Sequence, residues 1–160
     1  DIGASAMKIV IVHDGVPVFT KDTAIGGRNL TSDIQKNLSL SYADAETLKV
    51  SGQSESLPQE VSDLMHVSAE NFAMEIKRAL DFYNASSNGA PVAYVLIAGG
   101  SSKIPGLSKM VEEKIGLPTQ LMNAFNSISY DPSVFTGEYI AAIAPIAAVP
   151  LGLALRAGVK

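Results

Sequence analysis

The stretch V-A-Y-V-L-I-A-G-G-S-S-K-I-P-G-L, residues 92–107, decides the fold. Its first part, residues 92–98, is continuously apolar and of strand length, which predicts a strand buried on both faces, as in a parallel sheet. Residues 105–115 predict a helix, because a proline opens this segment and a glycine follows it. A buried strand, a glycine turn and a helix in succession are typical of an α/β protein.

The composition agrees with a layered α/β body. The chain has 160 residues, of which 47% are hydrophobic and 18% charged, enough apolar material for one ordinary core. Aromatic residues make up only 6% and the sequence has no tryptophan, so the core must be built from aliphatic side chains and alanine. This balance favours α/β layers over an aromatic-rich β-sandwich.

Charge and cysteine content exclude several classes of protein. A net charge of -4 removes the general phosphate attraction on which nucleic-acid binding rests, so no nucleic-acid partner is expected. The lack of cysteine in the sequence excludes disulfides, thiolate zinc sites and cysteine nucleophiles, and it suits a reducing compartment. His13 and His66 are the only histidines, too few for a histidine metal cluster.

The N-terminal part predicts a β-hairpin followed by a helix. Residues 6–12 and 16–20 are apolar and β-branched. They flank Asp14-Gly15, the dipeptide that most readily adopts the two positive φ angles of a tight turn. A helix is expected to start at Thr31, whose hydroxyl would accept from the N–H groups of the first turn.

The beginning of the chain predicts an incomplete sheet. It reads D-I-G-A-S-A-M, without the basic start and apolar run of a signal peptide, and is expected to be an internal fragment. An Asp-Ile-Gly turn that feeds a hairpin needs an incoming strand. We therefore expect a strand before Asp1 and an unpaired sheet edge beside residues 7–12.

A second, short helix follows. Ser41 and Asp44 have the spacing of a capping box, and on the helix that it opens Glu46 and Lys49 lie three residues apart and point the same way. Residues 50–58 read as a surface loop on composition.

The most regular helical pattern in the chain comes next. Apolar residues recur at intervals of three and four, which predicts one long helix with a buried side. That side comprises Val61, Leu64, Met65, Ala69, Phe72, Ala73, Ile76, Leu80 and Tyr83. A polar break is expected over residues 84–90.

The C-terminal part predicts a strand at residues 119–122 and a closing helix at residues 138–156. Residues 139–155 are the only membrane candidate in the sequence, but two prolines and a glycine interrupt them and they are shorter than the ~20 residues of a spanning helix. A buried, alanine-rich helix is the better interpretation, and no transmembrane segment is expected.

Common catalytic motifs are absent from the sequence. It has no G-x-x-x-x-G-K-[ST], G-x-G-x-x-G, H-E-x-x-H, EF-hand loop or G-x-S-x-G. Three glycine-centred loops remain, at residues 1–5, 26–31 and 98–106, each at a strand end or a strand-to-helix junction. Glycines there let backbone N–H groups approach an anion or a flat ring, and an aspartate beside such a turn can hold a hydrated Mg²⁺. One such loop alone is usually just a turn, but Glu46 and Lys49 could bracket a ribose beside them.

The order of these motifs resembles a known superfamily. D-I-G-A-S, a D-G hairpin, G-G-R-N-L-T, A-E-T-L-K and A-G-G-S-S-K-I-P-G-L look like the second half of the actin, heat-shock chaperone and sugar-kinase ATPases. With G-L-A-L-R at residues 152–156, the pattern is most similar to the PilM family, cytoplasmic actin-like proteins of type IV pilus assembly. The bacterial division homologue FtsA is next.

The resemblance implies a ribonuclease-H-like subdomain with a mixed sheet, a hairpin and parallel crossovers. This subdomain would comprise residues 1–40 and 85–160 and be incomplete at its N-terminus, with a smaller helical or α+β subdomain inserted at residues 41–84. Asn123-Ala124-Phe125 resembles an Asn-Pro-Phe of the family but has alanine in place of proline, so we interpret Asn123 as structural.

The resemblance also assigns roles in an ATP and Mg²⁺ site. A phosphate loop would comprise Asp1, Gly3, Ala4 and Ser5, with Asp1 facing Mg²⁺ through water. The nucleotide would lie close to Gly26 and Gly27, and its ribose close to Glu46 and Lys49. The adenosine would lie among Gly99, Gly100, Ser101 and Lys103, with Lys103 where chaperones carry an adenine-stacking arginine.

The function implied is an ATP-binding scaffold at the cytoplasmic face of the inner membrane. Its partner would be a PilN-like assembly protein bound through the other half of the cleft, with that N-terminal half or another copy as further partners. No catalytic residue is expected in this half, so the fragment alone would not be an ATPase, although the intact protein could be a weak one. Three alternatives remain open: half of a sugar or acetate-type kinase, a cell-division actin homologue, and an interaction module that has lost its nucleotide.

Overall fold

The computed structural model describes residues 1–51, 57–86 and 90–157. It is a mixed α/β fold with two additional 3-10 turns, at Gly100–Lys103 and Ala144–Ile146. The elements in chain order are β1 (Met7–His13), β2 (Val16–Thr23), α1 (Gly27–Leu38), α2 (Tyr42–Ser51), α3 (Gln59–Ser86), β3 (Val95–Ile97), α4 (Leu107–Ile115), β4 (Thr119–Leu121), α5 (Gly137–Ile143) and α6 (Ala148–Ala157).

The predicted hairpin is confirmed. Strands β1 and β2 pair antiparallel from Met7 opposite Thr23 to His13 opposite Val16. The turn between them has φ of 49° at Asp14 and 76° at Gly15, the two positive angles that this dipeptide favours.

Strands β3 and β4 form a separate parallel pair, joined by the crossover through α4. The predicted strand at residues 119–122 is confirmed as β4. The prediction that residues 92–98 are buried on both faces is wrong, because the strand is shorter and 42% of Leu96 is exposed. β4 is the only strand paired with β3 in the part of the chain that the structure describes, so β3 also has a free edge.

Ile2 links the two sheets. Its backbone forms an antiparallel bridge with Met7 of β1, and its N–H donates to the carbonyl oxygen of Ala98 after β3, with a distance of 2.7 Å. Beyond this bridge, β1 pairs only with β2 within the described ranges, so the expected unpaired edge beside β1 is present.

The predicted long helix is confirmed as α3, which packs against α4 and α1. Its apolar side faces the core as the periodicity indicates, with Leu64 only partly buried at the margin. The residues of α3 that are buried are Val61, Met65, Ala69, Phe72, Ala73, Ile76, Ala79, Leu80 and Tyr83.

Several helix boundaries differ from the prediction. Helix α1 begins at Gly27 rather than at Thr31, because the Asn29 side chain accepts a hydrogen bond from the Gly26 N–H, at 2.9 Å, and caps the helix earlier. The capping box of Ser41 and Asp44 is confirmed, with the Asp44 N–H donating to the Ser41 hydroxyl at 3.2 Å. Helix α4 begins after a left-handed glycine, two residues beyond the expected proline.

The two predicted polar segments are partly helical. The first two residues of the loop expected at 50–58 belong to α2, and residues 52–56 lie outside the described ranges. The first three residues of the break expected at 84–90 belong to α3, and residues 87–89 also lie outside the described ranges.

The single closing helix predicted for residues 138–156 is wrong. The chain forms α5 and α6 with a 3-10 turn between them, because Pro145 lacks the N–H that a continuous helix requires. The described side chains of α6 are exposed or partly exposed, so the expectation of a buried helix is also wrong. Among the described residues, no single helix is long and apolar enough to cross a membrane; Gly137–Ile146 and Ala148–Arg156 pass that test together but are bent by 88°.

Candidate functional site

The three glycine-centred loops meet in the folded chain. The N–H groups of Gly27 and Arg28, at the start of α1, donate to the carbonyl oxygens of Gly3 and Ala4, with distances of 3.0 and 2.8 Å. The third loop joins the first on its other side, since the Ser101 N–H donates to the Ile2 carbonyl oxygen at 3.0 Å. We call residues 1–5, 26–31 and 98–103 together the loop cluster.

Most glycines of the loop cluster serve close packing between backbones. A Cβ atom at Gly26 would lie 2.6 Å from the Ala4 carbonyl oxygen, and one at Gly99 would lie 2.5 Å from that of Ile2. A Cβ atom at Gly27 would collide with the Ser101 hydroxyl. Gly100 differs, because no described atom lies within 4 Å of its Cβ position and the residue is exposed. Gly100 therefore borders open space that a ligand can fill.

Three side chains form a polar cluster between α1 and α2. Glu46 and Lys49 do point the same way, and the distance from Lys49 Nζ to Glu46 Oε2 is 2.7 Å. The Thr31 hydroxyl donates to Glu46 Oε2 at 2.5 Å and lies 3.0 Å from Lys49 Nζ. Lys49 also reaches the Gly27 carbonyl oxygen at 3.4 Å, which places this polar cluster beside the loop cluster.

Thr31 is the site residue that sequence reasoning assigned to another role. It was expected to cap a helix, but it lies in the second turn of α1 and is fully buried, with its hydroxyl oxygen 3.1 Å from the Gly27 carbonyl oxygen. The available signal was the spacing of Gly27 and Thr31, four residues apart, which puts both on one face of a helix. Because the sequence analysis starts this helix at Thr31, Gly27 lies outside the predicted helix and the spacing is not recognised as helical.

The electrostatics of the polar cluster keep Glu46 ionised. Partial burial raises the pKa of Glu46, but hydrogen bonds from Lys49 and Thr31, with the charges of Lys49 and Arg28, lower the pKa below its ordinary value. The Glu46 side chain is 40% exposed, whereas that of Lys49 is only 15% exposed. The hydrogen bonds that Glu46 accepts from Thr31 and Lys49 use Oε2, so among the described residues Oε1 is left to accept from a hydroxyl group.

The first loop carries the acidic and hydroxyl groups of the site. Asp1 and Ser5 are exposed, and the Ser5 hydroxyl accepts a hydrogen bond from Arg28 Nη1 at 3.0 Å. Arg28 was not among the predicted site residues, although it follows the glycine pair directly. The structure shows no group of three or more histidine, cysteine, aspartate or glutamate side chains able to hold a metal within its described residues. Asp1 therefore belongs to no such group of three in that part of the chain.

Two polar residues of the third loop, Ser101 and Lys103, point in different directions. The Ser101 hydroxyl lies 3.3 Å from the Gly3 carbonyl oxygen, inside the loop cluster. Lys103 instead donates from Nζ to the Ala142 carbonyl oxygen in α5, at 2.6 Å. The structure thus places eleven of the predicted site residues in or beside the loop cluster. Only the ammonium of Lys103 lies elsewhere among these residues, bonded to α5.

Comparison with solved structures gives the class of protein. A structure described as a PilM-PilN type IV pilus biogenesis complex matches with a TM-score of 0.85 and 26% identity, over 98% of this chain and 44% of that chain. The ethanolamine utilization protein EutJ from Carboxydothermus hydrogenoformans matches with a TM-score of 0.67 and 21% identity, over 97% of this chain and 47% of that chain. The fold is thus a mixed α/β fold with neighbours among the actin-like ATPases.

Comparison with protein-family models identifies the family within this class. The model of the family described as type IV pilus assembly protein PilM matches residues 1–158, so the chain belongs to this family. The chain spans less than half the length of the two matched structures.

Proposed function

We propose that this chain forms one side of an ATP site in an actin-like scaffold protein of type IV pilus assembly. Membership of the PilM family supports the assembly role over a sugar or acetate-type kinase and over a cell-division actin. The proposed partner is a PilN-like protein, supported by the matched PilM-PilN complex. We propose, as the resemblance implies, that it binds through the other half of the cleft. The proposed location is the cytoplasmic face of the inner membrane.

One observation carries the nucleotide proposal: three glycine loops, far apart in sequence, pack together beside a partly buried lysine and a more exposed carboxylate. Helix α1 starts within this cluster, where its first N–H groups hold the first loop through the Gly3 and Ala4 carbonyl oxygens. Gly100 borders the open space in which adenine would lie. Glu46 Oε1 is placed to accept from a ribose hydroxyl while Lys49 and Thr31 hold the carboxylate in position.

The contacts of the loop cluster agree with the two subdomains that the resemblance to the PilM family implies. We propose a ribonuclease-H-like subdomain, residues 1–40 and 85–160, that supplies the loops, and an inserted subdomain, residues 41–84, that supplies Glu46 and Lys49. The contact of Lys49 with the Gly27 carbonyl oxygen supports a ribose position at the junction of the two. Lys103 contributes to the proposed adenosine site through its backbone, because its ammonium bonds to α5.

Mg²⁺ fits the donor set that the first loop offers. Mg²⁺ keeps several water ligands and is usually bound through one or two carboxylates together with substrate phosphates. The exposed carboxylate of Asp1 meets that requirement through water, with Gly3, Ala4 and Ser5 leaving room for phosphate oxygens. When bound, the ion neutralises charge on the phosphates, and this chain's own contribution is to hold it beside the loop.

We propose that this half of the cleft binds the nucleotide rather than hydrolysing it. The decisive experiment is calorimetric titration of this chain with adenosine and with Mg-ATP. We expect weak adenosine binding and little additional affinity for Mg-ATP, because half of the phosphate contacts belong to the rest of the longer protein. A longer protein carrying this chain should bind Mg-ATP more tightly than adenosine.

Two results would overturn the proposal. Micromolar or tighter Mg-ATP binding by this chain alone, or measurable turnover, would mean that it holds a complete site of another kind. Phosphorylation of a sugar or acetate by the longer protein would assign it to the kinases instead.

A further inference from the structure

Arg28 joins the start of α1 to the first loop. Its Nη1 donates to the Ser5 hydroxyl oxygen at 3.0 Å, and its backbone N–H donates to the Ala4 carbonyl oxygen at 2.8 Å. Arg28 and Ser5 are both exposed, so the guanidinium lies at the surface of the loop cluster. The bond to Ser5 is the only one that this side chain makes to the described residues, which leaves most of its N–H donors without a partner there.

Two lysines beside the loop cluster are already engaged. Lys49 is partly buried and bonds to Glu46 and Thr31, whereas the Lys103 ammonium bonds to α5. Arg28 differs from Lys49, because it forms no ion pair with a carboxylate in the part of the chain that the structure describes. Of these three cations, Arg28 is the one that bonds to the first loop and keeps the capacity to bind an anion there.

The backbone at the start of α1 cannot supply this contact itself. Its first three N–H groups, at residues 27–29, all donate to carbonyl oxygens of the loop cluster. An anion at this end of the helix must therefore be bound by a side chain. A positive side chain is also unfavourable beside the positive end of a helix dipole, and the first turn of α1 has no acidic residue to offset it. An anion bound to Arg28 relieves this repulsion.

The first loop adds further donors beside Arg28. The N–H groups of Ala4 and Ser5 donate to no acceptor among the described residues. Since the Ser5 hydroxyl oxygen accepts from Arg28, its own hydrogen remains available to donate. The guanidinium is a planar fork that matches two oxygens of one phosphate group. These donors together suit an anion with several oxygens.

Arg28 also lies within electrostatic reach of the proposed ribose acceptor, Glu46. Burial raises the pKa of Glu46, hydrogen bonds from Lys49 and Thr31 lower it, and the charges of Lys49 and Arg28 lower it further. The guanidinium is thus bonded to the proposed phosphate end of the site, at Ser5, and acts electrostatically on the proposed ribose end. A phosphate chain attached to that ribose passes beside Arg28.

We propose that Arg28 binds the phosphate chain of the nucleotide, and that through Arg28 the longer protein distinguishes a nucleoside diphosphate or triphosphate from the nucleoside. Phosphate oxygens accept from the Arg28 guanidinium and from the Ser5 hydroxyl. The hydrogen bond between Arg28 and Ser5 holds the guanidinium in position before the nucleotide binds. This inference rests on the proposed ATP site and assigns it a residue that the sequence motifs do not indicate.

The test is calorimetric titration of the longer protein with adenosine, Mg-ADP and Mg-ATP. Arg28→Gln should weaken the binding of both nucleotides at least tenfold, the effect of losing a hydrogen bond between charged groups, and change adenosine affinity less than about threefold. Arg28→Lys keeps the charge without the fork, and it should bind Mg-ATP about threefold or more tightly than Arg28→Gln does. Lys109→Gln is the control, because it removes a charge from an 83% exposed side chain of α4, and it should leave all three affinities unchanged.

The results separate this inference from the proposed function. If Arg28→Gln weakens adenosine and Mg-ATP binding equally, Arg28 only ties the first loop to α1, and the inference is overturned. Equal Mg-ATP affinities of Arg28→Gln and the unaltered protein, or of Arg28→Gln and Arg28→Lys, would overturn it as well. A longer protein that binds neither adenosine nor Mg-ATP would instead overturn the proposed ATP site, and the role of Arg28 with it. Circular dichroism of each variant checks that the chain is folded.

Discussion

Glu46 and Thr31 lie on different helices, and their side-chain oxygens are 2.5 Å apart in a contact that also includes Lys49. This contact joins α2 to the buried side of α1 and fixes the carboxylate next to the loop cluster. A buried hydroxyl that donates to a carboxylate is worth more than a surface hydrogen bond, because its loss leaves a charged acceptor with one donor fewer.

We therefore expect Thr31→Val to destabilise the chain by about 1–3 kcal/mol, the cost of removing a buried hydrogen-bond partner while volume is kept nearly constant. Urea unfolding followed by circular dichroism measures this. Thr47→Val is the matched control, since Thr47 is an exposed residue of α2 whose hydroxyl bonds only to the Ala43 carbonyl oxygen, and it should cost less than about 0.5 kcal/mol. Equal costs at the two positions would contradict a structural role for the polar cluster.

The stability of the chain should depend on pH through Glu46. Because the folded state holds the pKa of Glu46 below its ordinary value of 4.5, its stabilising contribution is present above that pH. It is lost as the pH falls through the lower pKa of the folded state. Glu46→Gln should thus flatten the fall in stability below about pH 4.5 that the unaltered chain shows. Parallel losses in both proteins between neutral pH and pH 3 would exclude this contribution.

Gly100 is the position at which adenine binding can be tested without disturbing the fold. Gly100→Val places a side chain in open space, and in a longer protein that carries this chain the affinity for Mg-ATP should fall at least tenfold, or ~1.4 kcal/mol. Gly152→Val is the control, because that glycine is also exposed with no described atom near its Cβ position but belongs to α6. Unchanged affinity in a folded Gly100→Val protein would remove the adenosine role of this loop.

Substitutions at Gly99 and Gly106 distinguish the energetic cost of a steric collision from the cost of backbone strain. Both have positive φ, at 92° and 76°, but only at Gly99 does a Cβ atom collide, with the Ile2 backbone. Gly106→Ala should cost about 1–2 kcal/mol from its left-handed conformation alone. Gly99→Ala should cost clearly more, because two loops must move apart. Thermal unfolding of the two variants measures this difference. Equal melting temperatures would mean that the two loops can move apart at little cost in stability.

Local sequence determined the elements whose geometry depends on near neighbours. Asp14-Gly15 specified the hairpin because these two residues tolerate positive φ. Periodicity specified α3, and the three-residue spacing of Glu46 and Lys49 placed them on one side of α2. These features follow from backbone sterics and helical repeat, which extend over a few residues.

Tertiary structure alone decided the features that depend on segments far along the chain. Leu96 lies in an apolar run yet is exposed, since burial of a strand on both faces requires a layer packed over each face, and local sequence does not specify those layers. Thr31 became a buried partner of Glu46 only when α1 and α2 packed together, because a hydrogen bond between residues 15 positions apart has no local signal.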